Sequence, residues 1–182
     1  LHEDGVTPES DTDHTVMVAI CACALASKFY PKLDLGKIAQ FATVHDLVEV
    51  YAGDTNTFNI TEAKRAEKES REHDALARIK REFGDVYPWI ANTIIAYESL
   101  VTDEAQFVKA VDKVMTKLTH RINHGAYLRN ENVSKEETLL HYGSQTKILE
   151  EKYGEKFPEL VEILKKLTDD IIRETYDIGS AS

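Results

Sequence analysis

The chain is short of the residues that interrupt or cross-link a fold. Its 182 residues hold only 8 glycines, 4 prolines and 2 cysteines. So few helix breakers leave room for long uninterrupted elements. Cys21 and Cys23 stand two positions apart, which on a helix turns them roughly 200° from one another. They therefore neither bridge nor chelate together and are expected as small apolar core residues. The lack of a disulfide framework predicts a reducing, cytoplasmic setting. No apolar run reaches the about 18 residues that cross a bilayer, and no signal-peptide pattern opens the chain. The stretch 16–26 reads instead as a buried helix. Leu1-His2-Glu3 is an abrupt opening, and the natural start is expected upstream. Positive charge is scarce as well: 22 Lys and Arg against 32 Asp and Glu leave a net charge of −10. A surface so poor in cations is a weak partner for duplex nucleic acid. A small phosphate ester stays compatible, because a bound cation and a few lysines reverse the field locally.

What is present is helical period. Hydrophobic residues make up 42% of the chain, enough for one core, and one domain over 1–182 is expected. Helices are predicted over 12–29, stopped by Pro31, and over 35–51, with a loop at 53–56. The segment 35–51 is apolar nearly all round, as a central buried helix should be. A charged helix is expected from Asn59 to Phe83, with Asn59 and Glu62 as a capping pair. A short helix follows Pro88, and another runs from a cap at Thr102 to just before Gly125. Ser134 and Glu137 form a second capping box for a helix reaching Tyr153. Pro158 suits the first turn of a last helix ending near Tyr176. No strand pattern or repeat is visible, so the fold class is all-α, a helical bundle.

Polar residues occupy places that the helical pattern reserves for apolar ones. His14 shares a face with Met17, Val18, Cys21 and Leu25. His45 and Glu49 lie one turn apart on the face of Ile38 and Ala42, and Asp46 sits about 100° round from His45. Asp112 flanks the stripe Phe107, Val108, Val111, Val114, Met115 and Leu118. Buried charge is costly unless paired or bound to a metal. Each residue also has an ordinary reading: His14 as a cap or core histidine, Asp112 as a partner of Lys109 or Lys113, His-Asp as a chance pair. His120 and His124 have a chelating spacing, but near a helix end they also suit the helix dipole. His73 and His141 read as surface residues.

Taken together, Glu9-Ser10-Asp11-Thr12-Asp13-His14, Val44-His45-Asp46-Leu47-Val48-Glu49, Gly53-Asp54-Thr55 and Ala110-Val111-Asp112-Lys113 resemble the H…HD…D pattern of the HD phosphohydrolases. The Glu-Ser-x-x-acid-His opening is similar to the bacterial 5′-deoxynucleotidase-like branch. The resemblance implies an HD-domain bundle with an interior metal site. Its ligands would be His14, His45, Asp46 and Asp112, holding one divalent ion. Two imidazoles and two carboxylates suit Mn, Co, Fe or Zn, and Mg less well. Glu49 would orient or deprotonate the attacking water, and Asp54 would help hold the water or leaving group. Thr55 and Lys113 would lie near the phosphate. Relatives carry an arginine-bearing segment ahead of the Glu-Ser motif. Residues 1–8 contain no arginine, so that segment lies upstream or Lys64 or Arg65 takes its duty.

The implied activity is hydrolysis of a nucleotide phosphate, foremost a deoxynucleoside 5′-monophosphate. Alternatives are a dNTP triphosphohydrolase, a di-iron oxygenase, which needs further histidines near the HD pair, and a non-catalytic helical scaffold. The expected partner is a small phosphorylated substrate, with no membrane and no duplex nucleic acid. A homo-oligomer is expected, with the helices at 12–29, 134–153 and 158–176 as candidates for its interface.

Overall fold

The computed structural model describes residues 1–53 and 61–177, and every regular element among them is helical. Helix α1 spans Asp11–Phe29, α2 Leu35–Val44, α3 Glu49–Ala52, α4 Glu62–Phe83 and α5 Pro88–Glu98. Then come α6 Asp103–Ile122, α7 Ala126–Asn130, α8 Lys135–Tyr153 and α9 Pro158–Ile172, with a π-helical turn at Arg173–Asp177. The residues group into two compact units, Leu1–Val18 with Lys109–Ser182, and Ala19–Val108. No helix among the described residues is long and apolar enough to cross a membrane.

Capping chemistry sets where the helices begin. Ahead of α1, the Asp13 N–H donates to Ser10 Oγ (3.1 Å) and the Ser10 N–H donates to Asp13 Oδ2 (3.1 Å). This reciprocal pair satisfies two orphan donors and puts His14 in the first turn. The Asp34 carboxylate caps α2, accepting from the N–H groups of Gly36 (2.8 Å) and Lys37 (3.1 Å). The Ser134–Glu137 box opens α8, and Pro88 and Pro158 begin α5 and α9.

Several expected boundaries differ. The stretch 35–51 is not one helix: α2 ends at Val44, residues 45–48 are turn, and α3 follows. Glu49 N–H donates to Asp46 O (2.8 Å) and Leu47 N–H to Val44 O (3.1 Å), the three-residue spacing of a tightened turn. Val44, Val48 and Ala52 are all buried, so the apolar period runs unbroken across the interruption and conceals it. Helix α4 is capped by Thr61; Asn59 lies outside the described residues. The last helix stops at Ile172, and the π turn takes up the residues beyond it. Cys21 and Cys23 are half-buried; on α1 it is Val18, Ala22 and Ala26 that lie fully inside. After α6, Gly125 takes φ +73°, and its N–H donates to His120 O (2.8 Å). That left-handed residue is the helix stop expected there.

Within the unit 19–108, α4 packs on α3 and α5, and α5 on α2. Val44, Val48, Ala52, Ala75, Ile79, Ala91 and Ile94 form the core. In the other unit, α8 packs on α9, and the π turn packs on α9 and α7. An Arg121–Glu174 ion pair (2.8 Å) ties the π turn to α6.

Candidate metal centre

The His-Asp pair sits in the turn between α2 and α3. His45 Nδ1 lies 2.7 Å from the Ala42 carbonyl oxygen. A carbonyl only accepts, so Nδ1 carries the proton and Nε2 of the neutral ring is the lone-pair atom. Nε2 stands 3.0 Å from Asp46 Oδ2, with the imidazole fully buried and the carboxylate 27% exposed. A ring lone pair and a carboxylate oxygen repel at that distance, unless a proton or a cation lies between them. The tightened turn thus creates a place for positive charge.

The second pair joins the first turn of α1 to the middle of α6. His14 Nε2 is 3.2 Å from Asp112 Oδ1, and His14 Nδ1 is 3.5 Å from Glu9 Oε1. Hydrogen bonding from His14 holds the Glu9 carboxyl below its ordinary range, against the opposing effect of burial. Lys113 Nζ turns back to Asp112 Oδ2 at 3.1 Å. His14 and Asp112 thus form one imidazole–carboxylate pair within the unit 1–18 with 109–182, and His45 and Asp46 form another within the unit 19–108. Each pair sets an imidazole nitrogen beside a carboxylate oxygen, the mixed donor chemistry that suits a divalent ion. The partial exposure of His14 and Asp46 leaves an approach for a small ligand.

Glu49 begins α3, with its carboxylate 10% exposed and 2.8 Å from Lys68 Nζ. Nearby in the same segment, Leu47, Val50 and Tyr51 line an apolar depression with Ile79, Phe83 and Ile90. Asp54 and Thr55 lie outside the described residues. Lys64 and Arg65 are exposed on α4, and the Lys113 side chain is half exposed. His120 and His124 do not chelate. The His120 ring is buried, stacked 5.0 Å from Tyr127 and hydrogen-bonded to Tyr142, while His124 lies beyond the end of α6 with φ +53°. Burial pushes the His120 imidazole down to about 4, so it is neutral at pH 7. His73 is exposed as expected, whereas His141 is half-buried against Gln145 (2.9 Å).

Sequence reasoning passed over Glu9 as a partner of His14, and Lys68. A signal for Lys68 existed. Extending the buried stripe of α4, Ala75 and Ile79, backward by helical steps lands on Arg71, Glu72 and Lys68.

The HD domain family matches residues 1–156. Among solved structures, a predicted metal-dependent phosphohydrolase from Magnetospirillum magnetotacticum MS-1 is similar, with 25% identity and a TM-score of 0.74 over 97% of this chain and 84% of that one. No curated protein matches the chain.

Proposed function

The chain belongs to the HD domain family, and from that premise we propose that it is a metal-dependent phosphohydrolase acting on a nucleotide phosphate ester, foremost a (deoxy)nucleoside 5′-monophosphate. The observation that carries the hydrolase reading is the two imidazole–carboxylate pairs, His14 with Asp112 and His45 with Asp46, together with the likeness to a predicted metal-dependent phosphohydrolase. The nucleotide part rests on the Glu9-to-His14 opening and on an acidic chain ill-suited to larger polyanions.

His14, His45, Asp46 and Asp112 hold one divalent ion, with Mn, Co, Fe and Zn better suited to the donors than Mg. When bound, such an ion acidifies water and draws charge from a phosphoryl oxygen. Ala42 fixes the His45 tautomer through its carbonyl, and Glu9 steadies the His14 ring. Glu49, three residues beyond Asp46, accepts the proton of the attacking water. Asp54 and Thr55, just past the Gly53 turn, contact the water, the leaving group or the phosphate. Lys113 swings from Asp112 to a phosphate oxygen, and Lys64 or Arg65 supplies a further cation from α4.

The test is a panel of nucleoside mono- and triphosphates with Mn²⁺, Co²⁺, Zn²⁺ and Mg²⁺, scored by product. Orthophosphate from dAMP is the expected result. Tripolyphosphate from dATP would move the reading to a triphosphohydrolase, and no turnover with any metal would remove the enzymatic reading. Glu49→Gln is expected to bind metal yet lose about 10²-fold or more in kcat, the usual scale of general-base help. Wild-type turnover in that variant would take Glu49 out of the mechanism.

A further inference from the structure

Helix α3 has four residues and starts at Glu49, and no side chain caps its N-terminus. A single turn of helix has no stability of its own, since nucleation costs more than its few hydrogen bonds return. What holds this turn in place must therefore come from outside α3. The neighbouring helix α4 supplies two contacts, one at each end of the turn. Lys68 Nζ donates to Glu49 Oε1 at 2.8 Å, and Arg71 Nη1 donates to the carbonyl oxygen of Ala52 at 3.1 Å. Lys68 also lies 3.2 Å from Glu72 Oε1, so its ammonium is held from its own helix as well.

Burial singles Lys68 out. Residues 61–67 are all exposed, and Lys68 is the first residue of α4 turned inward. Its side chain is 20% exposed and that of Glu49 10%. An ion pair in such a setting costs desolvation and is retained only where its geometry matters or is fully satisfied. Here the ammonium has two carboxylate partners, Glu49 and Glu72. The lysine occupies one named oxygen of Glu49, which biases the orientation of the carboxylate.

We propose that Lys68 is a positioning residue for Glu49, its ammonium orienting the carboxylate that receives the water proton. The proposal rests on the role given to Glu49 above. Lys68 acts through Glu49 and touches neither the phosphate nor the ligand set. Its removal lowers kcat, leaves KM unchanged and has no effect once Glu49 has lost its carboxylate.

The experiment is a double-mutant cycle on the full chain with Mn²⁺ and dAMP, reading kcat and KM, alongside Mn²⁺ affinity by calorimetry. Lys68→Met is expected to lose about 10- to 100-fold in kcat, part of the general-base contribution. KM and Mn²⁺ affinity stay at the wild-type level, and Lys68→Arg recovers most of the loss. In the Glu49→Gln background, Lys68→Met causes no further loss, the non-additivity of two groups acting as one. Multiplicative losses, wild-type kcat in Lys68→Met, or a rise in KM alone would overturn the proposal while leaving Glu49 in place. Full activity of Glu49→Gln would instead remove the reading on which it rests. Should Lys68→Met not fold, Lys68→Leu, which likewise removes both donor and charge, is read the same way.

Discussion

Replacing Lys117 by methionine should stabilise the protein, by an amount that depends on pH. The Lys117 side chain is fully buried on α6, and its Nζ has no hydrogen-bond partner. Its one notable contact is the face of the Tyr142 ring, 4.6 Å away. Burial pushes the ammonium from its ordinary 10.5 down to about 7, the charge of Lys113 adds to the shift, and Asp112 opposes it. Between pH 7 and 10.5 the unfolded chain therefore holds a proton that the folded chain has released. Stability rises with pH wherever the unfolded state binds more protons. The Lys117 penalty is thus nearly full at pH 7 and below, and fades toward pH 10.5. From pH 7 to pH 9 it shrinks by about 2 kcal/mol, at 1.36 kcal/mol per pH unit across most of that span. Methionine has similar length and no charge. Allowing for the lost ring contact, about 1–2 kcal/mol, Lys117→Met should exceed wild type at pH 7 by about 2 kcal/mol. That advantage should nearly vanish at pH 9. Urea unfolding of both proteins at pH 6, 7, 8 and 9 gives the difference directly, and pH effects common to both cancel in it. A gap that stays constant with pH, or a variant less stable throughout, would refute the reasoning and mean that the amine is held by polar groups.

Two further outcomes concern the turn after α6 and the ligand set. Gly125→Ala should lower the melting temperature by several degrees, a cost of about 2 kcal/mol or more. The glycine has φ +73°, and a Cβ there would collide with the Thr175 side chain; an unchanged melt would mean that the turn and Thr175 yield without cost. Added Mn²⁺ should raise the melting temperature of the chelator-treated protein, with about 2.7 kcal/mol expected at a hundred times Kd, and Asp46→Ala should abolish the rise. An equal rise in that variant would place the ion elsewhere.

The helices were legible because their signals are local. Capping at Ser134, the prolines at 88 and 158 and the stop at Gly125 each act within a turn of themselves, and the structure has a helix boundary at each. The break after Val44 was not legible, because Val44, Val48 and Ala52 keep their helical spacing through it. Lys64 and Arg65 were named as phosphate candidates while Lys68 was passed over, although all three sit in one charged run. Only packing against α3 and α5 separates the inward lysine from the outward pair. The importance of Lys117 was hidden too, because a lysine in a helical pattern reads as solvated until its neighbours are known.

By itself the sequence determined which residue types are available as ligands, the order in which they come, and the helices that carry them. These follow from periodicity and capping, which depend on neighbours a few residues away. Tertiary structure alone decided that Asp112, 98 residues along the chain, faces His14. It also decided that Glu49 is gripped from α4. Tautomer, rotamer and ion pairing are set by atoms that meet only when the chain has folded, and no spacing rule reaches that far.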